Sequence, residues 1–296
     1  MSKELKGTGV ALVTPFTARG NVDYKALKGL VEHIIVNKVD FIVALGTTSE
    51  APTLTATEKL KVVETINDQA EGRLPVVLGI GGNNTAAVVE KIKETDLSDV
   101  AGILSVAPYY NKPNQEGLYR HFKEISKACP VPVILYNVPG RTSSNIAADT
   151  VLRLAGECWN ITAVKEASGD LDQISRILRN KPDDFHVLSG DDALTLPMMA
   201  LGAEGVISVI ANAFPAAFSA MVRLLLKGKY EDARKVHHSL SDITEQLFRD
   251  GNPAGIKAAL SILGVCRNYL RLPLVPAGKN VQKQLESLIN EYKYPL

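Results

Sequence analysis

Lys165 interrupts an apolar run, Ile161-Thr162-Ala163-Val164-Lys165-Glu166-Ala167-Ser168-Gly169, that otherwise reads as a buried strand ending in a glycine turn. Side chains alternate along a strand, so Lys165 shares a face with Ala163 and Ile161 while Glu166 points the other way and is badly placed to neutralise it. Desolvation disfavours the charged form of an amine. The free base is the form that condenses with a carbonyl to give a Schiff base. The plainer alternative is a lysine whose head snorkels out at the strand end. From this segment alone the two readings stand level.

Schiff-base chemistry makes further demands. Forming an imine, converting it to an enamine and making a carbon–carbon bond each move protons, so a hydroxyl must stand near the amine. Tyr136, in a neighbouring apolar run, is the candidate, with Thr47 as a relay and a second phenol completing a path toward solvent. A substrate carboxylate needs donors, which the backbone N–H groups around Thr47 and Thr48 or the fork of Arg141 could supply. Each residue also has a structural reading: Tyr136 as core with its hydroxyl satisfied by backbone, Arg141 in a surface ion pair, Thr47 and Thr48 as helix caps. Gly79-Ile80-Gly81-Gly82-Asn83-Asn84 lacks dinucleotide spacing and reads as a strand-to-helix turn. Asp191-Asp192 and His237-His238 have no regularly spaced third ligand, so no metal site is assigned.

The elements that would position these residues recur regularly. Eight β-rich apolar segments occupy 9–13, 41–45, 75–80, 102–107, 131–136, 162–165, 186–189 and 205–209. Between them lie amphipathic helical patterns such as Tyr24-Ala26-Leu27-Leu30-Val31-Ile34-Ile35. Strands apolar on both faces belong to a parallel sheet covered by helices. Eight β-then-α units predict an α/β fold, a (β/α)8 TIM barrel, with an open doubly wound sheet as the alternative. The polar groups then gather at the C-terminal strand ends, where such barrels carry their sites. From about Gly228 the pattern is purely helical, over 230–248, 252–263 and 281–292. The expected organisation is a catalytic barrel over 1–228 and a C-terminal helical region over 229–296.

Composition excludes several classes. The 33 basic and 32 acidic side chains nearly cancel, with no run of like charge, so neither nucleic acid nor an anionic membrane surface is expected as a partner. Three widely spaced cysteines without a CxxC suggest neither disulfides nor a thiolate metal site. The start, Met1-Ser2-Lys3-Glu4-Leu5-Lys6-Gly7, lacks a signal-peptide core, and no apolar stretch approaches the roughly 20 residues that span a bilayer. The expected location is the cytoplasm.

Seven motifs in order carry a resemblance: Val13-Thr14-Pro15, Gly46-Thr47-Thr48-Ser49-Glu50, Ala107-Pro108-Tyr109-Tyr110-Asn111, Tyr136 through Thr142, Val164-Lys165-Glu166-Ala167, Ser189-Gly190-Asp191-Asp192 and Gly205-Val206-Ile207-Ser208. Over essentially its whole length the chain resembles the pyruvate-dependent class I aldolase and lyase superfamily and, within it, the 4-hydroxy-tetrahydrodipicolinate (dihydrodipicolinate) synthase family. The resemblance implies a barrel with a C-terminal helical region, usually a homotetramer built as a dimer of tight dimers. It implies condensation of pyruvate with L-aspartate 4-semialdehyde in lysine and diaminopimelate biosynthesis, without metal, nucleotide or other cofactor. By the same resemblance Lys165 forms the pyruvate Schiff base, Tyr136 donates and accepts the proton, and Thr47 relays it to a Tyr110 reaching in from the neighbouring subunit. Thr48, Gly190 and Ile207 hold the pyruvate carboxylate or line its pocket, and Arg141 binds the semialdehyde carboxylate. The competing reading on the same fold is a sugar-acid aldolase or N-acetylneuraminate lyase, whose members lack this arginine because their electrophile is a polyol. A catalytically silent barrel kept for binding is the reading from another class, opposed by the presence of both Lys165 and Tyr136.

Two departures stand out. Ser49 occupies a position where synthases commonly carry glycine, and its small side chain is expected to leave the turn intact. The positions matching the histidine and glutamate with which lysine-inhibited members hold lysine are Lys59 and Ala87, whereas Asn83 and Tyr109 are retained. A cation facing a cationic ligand and a missing carboxylate both oppose binding. Inhibition by lysine is therefore expected to be weak or absent in a steady-state titration; half-inhibition at micromolar lysine contradicts it.

Overall fold

A computed structural model describes residues 5–293. Residues 1–4, part of the N-terminal stretch read above for a signal peptide, lie outside the described residues, as do 294–296. Eight strands run in the order β1 to β8 as a closed barrel, and the alternative of an open sheet is not realised. The strands are β1 (Gly7–Ala11), β2 (Phe41–Ala44), β3 (Val76–Gly79), β4 (Gly102–Val106), β5 (Val133–Asn137), β6 (Ile161–Glu166), β7 (His186–Ser189) and β8 (Gly205–Ser208). The helices are α1 (Tyr24–Val36), α2 (Ala56–Ala70), α3 (Thr85–Glu94), α4 (Gln115–Ala128), α5 (Pro139–Thr142), α6 (Ala148–Glu157), α7 (Leu171–Asn180), α8 (Thr195–Ala200) and α9 (Pro215–Leu226), followed by α10 (Tyr230–Arg249), α11 (Ala254–Ile262) and α12 (Lys279–Glu291). No helix among the described residues is long and apolar enough to cross a membrane.

Local chemistry explains the boundaries. Asp23, Asn84, Asn114 and Asp170 each accept a backbone N–H at the start of a helix, and Thr55 with Glu58 forms a reciprocal capping box on α2. The strands expected at 131–136 and 162–165 extend to Asn137 and Glu166, polar residues whose side chains are fully buried. An isolated polar residue reads as a strand end from sequence. Here buried partners keep it in the ladder.

The chain divides into two compact units. The first, residues 75–207 with the segment through Lys6, carries β3 to β7 and most of β8. Its β5 and β6 pair in parallel with a register shift: Val133 faces Ile161, but Ile134 faces Ala163. One extra residue on β6, Thr162, is passed over. Every later pair follows from it: Leu135 with Val164, Tyr136 with Lys165, Asn137 with Glu166.

The second unit, residues 7–74 and 208–296, holds β1, β2 and the helices from α9 onward. After β8 a short 3-10 turn carries the buried Asn212, which accepts from Val13 N at 3.1 Å and donates to Ala11 O at 2.8 Å and Val209 O at 2.9 Å. α10 packs on α9, α11 and α12. Arg271, in the proline-bounded loop before α12, donates to Gly20 O and Thr53 O and forks onto Glu58 at 2.8 and 2.5 Å. Its guanidinium also lies 4.6 Å from the centre of the Phe16 ring.

The hydrogen-bonded Arg271 guanidinium, more than any other cause, holds the Glu58 carboxyl down at about 2 from its ordinary 4.5. A carboxyl depressed in the folded state stabilises above its unfolded pKa, and that stability is lost as pH falls through the folded value. The stability difference between wild type and Glu58→Gln, measured by urea unfolding, is thus expected to be constant at neutral pH. It should shrink as pH drops from near 4.5 toward about 2.

Candidate active site

Tyr136 and Lys165, the two residues expected to react, are register partners in the first unit. Both residues are buried, and the Lys165 Nζ lies 4.4 Å from the centre of the Tyr136 ring. Among the described residues the ammonium has no hydrogen bond and no ion pair, and the Tyr136 hydroxyl has no hydrogen-bond partner. The snorkelling reading of Lys165 and the backbone-satisfied reading of Tyr136 therefore find no support. A 5% exposed lysine without a counter-ion is open to condensation with a carbonyl, and the phenol against which it packs can exchange a proton with what it binds.

Glycine at 190 makes room for this amine. A Cβ there would stand 2.7 Å from Ala167 Cβ, which would have to shift, and 3.0 Å from Lys165 Cε, crowding the lysine stem. Ile207, buried on β8, follows the Ser189–Val206 pair, one position along from the start of the Gly190 turn. That turn is ordered by Ser189 Oγ, which donates to Asp191 O at 2.8 Å, and by Asp191 Oδ1, which accepts from Ala193 N at 2.9 Å. Asp191 thus serves a turn, and no group of three metal-ligating side chains occurs among the described residues.

Arg141 sits in the one-turn helix α5, opened by Pro139 and closed by Ser143 in the left-handed region at φ 56°. It is exposed and makes no ion pair among the described residues, so its fork is available to an anion. Tyr110 is 89% exposed at φ 74°, a conformation uncommon for a bulky side chain. Its loop is held by Asn83 Nδ2, which donates to Tyr109 O at 3.1 Å, and by Asn111 Nδ2, which donates to Asn83 O at 2.9 Å. Displaying an aromatic ring on a strained, tethered backbone suits a surface that meets something else.

In the second unit, Thr47–Ser49 forms a 3-10 turn after β2. Neither threonine caps a helix: the N-cap is Gly46, without a side-chain bond, and α2 is capped by Thr55. Thr47 is exposed, and Thr48 is buried with its Oγ1 accepting from Asn252 Nδ2 at 2.9 Å. Ser49 is accommodated, its hydroxyl donating to Gly46 O at 2.7 Å. The turn ends at Glu50, left-handed at φ 56° and fully buried. Its carboxylate receives the Lys257 ammonium and accepts Arg271 N at 3.0 Å.

Lys257 was not singled out in the sequence, although its signal resembles that of Lys165: one lysine in the apolar run Ala254-Gly255-Ile256-Lys257-Ala258-Ala259-Leu260. The structure separates the two. Lys257 has Glu50, Tyr269 O at 2.9 Å and the Phe16 ring at 4.1 Å, and burial pushes its pKa down against the opposing pull of Glu50. Removing one partner of a buried ion pair leaves the other unpaired, so Lys257→Met is expected to cost about 3–5 kcal/mol. Urea unfolding at neutral pH measures it.

The model of the dihydrodipicolinate synthetase family matches residues 4–292. The 4-hydroxy-tetrahydrodipicolinate synthase of Parabacteroides distasonis is 54% identical over 287 residues, covering 97% of each chain. That of Phocaeicola vulgatus is 50% identical, covering 98% of this chain and 97% of its own. The crystal structure of the Aquifex aeolicus dihydrodipicolinate synthase superposes with a TM-score of 0.94 at 44% identity, covering 97% of this chain and 98% of that one.

Proposed function

This chain belongs to the dihydrodipicolinate synthetase family, and on that premise we propose that it condenses pyruvate with L-aspartate 4-semialdehyde through a Schiff base on Lys165. The product is 4-hydroxy-tetrahydrodipicolinate, in lysine and diaminopimelate biosynthesis. The observation that carries this reading is the buried Lys165 amine, without a counter-ion, against the ring of a tyrosine whose hydroxyl is unpartnered.

The neutral Lys165 amine attacks the keto carbon of pyruvate. Water leaves and an imine forms. Tyr136 supplies the proton that lets the hydroxyl depart as water and then takes one from the pyruvate methyl group, converting imine to enamine. The enamine carbon adds to the aldehyde carbon of the semialdehyde, whose oxygen gains a proton, and the semialdehyde's own amino group then attacks the regenerated imine carbon, closing the ring and expelling Lys165 as the free amine. Thr47 relays protons between Tyr136 and a Tyr110 contributed by a neighbouring copy of the chain. The backbone and hydroxyl at Thr48, with Gly190 and Ile207, hold the pyruvate carboxylate, and Arg141 takes the carboxylate of the semialdehyde. The exposure of Tyr110 supports the shared site, and with it a homo-oligomer, a tetramer formed as a dimer of dimers. The barrel over 1–228 carries the chemistry, the region over 229–296 is a helical appendage, and the enzyme works in the cytoplasm without a cofactor.

Turnover of pyruvate with L-aspartate 4-semialdehyde, coupled to dihydrodipicolinate reductase, is expected, with none on N-acetylmannosamine or glyceraldehyde. Borohydride with pyruvate should trap an adduct on Lys165 and no other lysine, seen by peptide mass mapping. Arg141→Ala should lose turnover by about 100-fold while the adduct still forms, as loss of a bidentate contact to one substrate implies. An adduct elsewhere overturns the role of Lys165, and a purely monomeric native mass spectrum overturns that of Tyr110.

A further inference from the structure

The residues next to Tyr136 and Lys165 in the chain face the other way and pair with each other. Asn137 and Glu166 are register partners, and both are fully buried. The Asn137 amide donates to both carboxylate oxygens, at 3.1 and 3.0 Å. Glu166 Oε1 also accepts from Ser168 N at 2.7 Å, and Oε2 from Gln173 Nε2 on α7 at 3.1 Å. Every group that meets Glu166 in this cluster is a donor. A carboxylate, with two oxygens that only accept, satisfies all of them, whereas a neutral carboxylic acid or an amide would set a donor against a donor.

The cluster continues into the segment that carries Arg141. Asn137 Nδ2 donates to Asn145 Oδ1 at 2.8 Å, and Asn137 Oδ1 accepts from Ile146 N at 2.9 Å, closing the loop 138–146 onto the strand that starts it. Asn145 in turn donates to Gln173 Oε1 at 2.8 Å. Burying a carboxylate is expensive, and burial does push the Glu166 carboxyl up, opposed by these hydrogen bonds. A strand position that needs only packing would hold an apolar residue, as Leu135 and Val164 do two residues earlier on the two strands.

We propose that Asn137 and Glu166 are positioning residues that lock the strand register at which Tyr136 meets Lys165 and anchor the Arg141 loop. Through alternation, the polar pair on one face dictates the separation of amine and phenol on the other. Slippage of either strand turns one of the two reactive groups away. The assignment rests on the Schiff-base reading of Lys165.

The test exchanges the pair. Glu166→Gln and Asn137→Asp each place like groups opposite one another, whereas the double variant restores one amide facing one carboxylate. In the wild type the Lys165 amine adds to pyruvate with loss of water, and borohydride delivers hydride to the imine carbon to leave a stable secondary amine. The initial rate of that trapping is measured by intact mass, well below each variant's melting temperature. Each single variant is expected to trap pyruvate about 10- to 100-fold more slowly, with kcat falling alongside and KM for pyruvate little changed. The double variant repairs only the contact between the two strands, since the exchanged amide still meets the donors Ser168 N and Gln173 Nε2, so it should recover part of the loss. Gln173→Leu, which leaves both strands intact, should fold even where the strand variants do not and should slow trapping by about threefold.

Single variants that trap at the wild-type rate overturn the proposal, as does a double variant no faster than the slower single. So does a wild-type rate in Gln173→Leu. A wild type that forms no adduct on Lys165 overturns the Schiff-base reading itself, and this assignment with it.

Discussion

One unpaired residue in one strand organises the reactive end of the first unit. If the register that matches Val133 with Ile161 continued unbroken, Tyr136 would lie opposite Val164, and side-chain alternation would aim phenol and amine at opposite faces. Passing over Thr162 moves the pairing by one, and the two reactive groups come to one face with Asn137 and Glu166 together on the other. A bulge costs a local ladder interaction and re-aims everything beyond it. Here it converts two apolar strands into one surface with a reactive pair and one with a polar clamp.

The two buried lysines show what burial means in each case. Lys257 has a carboxylate, a carbonyl and a ring within reach, and its charge is compensated three times over. It ties α11 and the loop after it to the turn that follows β2, because Glu50 also accepts Arg271 N. That turn presents Thr47 and Thr48, and two left-handed residues, Leu45 and Glu50, bracket it. Strain of this kind persists only when the surroundings over-determine it, and the buried ion pair does so. Lys165 has only the face of one aromatic ring. The Lys165 amine is thereby left for covalent capture of a carbonyl, where the Lys257 ammonium is held by fixed partners.

Around Lys165 the structure removes bulk as carefully as it removes charge. Gly190 leaves no Cβ where the lysine stem passes, and Ala167 fills the adjoining position. The carboxylate nearest in sequence, Glu166, is fully engaged by Asn137, Ser168 and Gln173. An acid that could have quenched the amine is thereby spent on the opposite face. The guanidinium of Arg141 stays exposed and unpaired on a short helix whose loop returns to Asn137. Amine, phenol and fork are each left without an internal partner, which is the state in which they can meet a substrate.

Residue patterns alone determined the number and order of the strands, since apolar runs on both faces report burial directly. They marked Lys165 and Tyr136 as chemically exceptional and placed the helices of 230–248, 252–263 and 281–292 within two residues of where they lie. They also grouped Thr47, Thr48, Arg141, Gly190 and Ile207 with them by motif. Tertiary structure decided what depends on partners distant in the chain. It ran β5 and β6 one residue further, into Asn137 and Glu166, because each finds its hydrogen bonds in the other. It also decided which buried lysine is paired, since Glu50 and Lys257 stand 207 positions apart and nothing local to either announces the other. Above all it decided the register shift at Thr162, which breaks alternation within β6 itself: Ile161 and Ala163 pair with the consecutive residues Val133 and Ile134, so Lys165 shares a face with Ala163 and not, as alternation alone predicts, with Ile161.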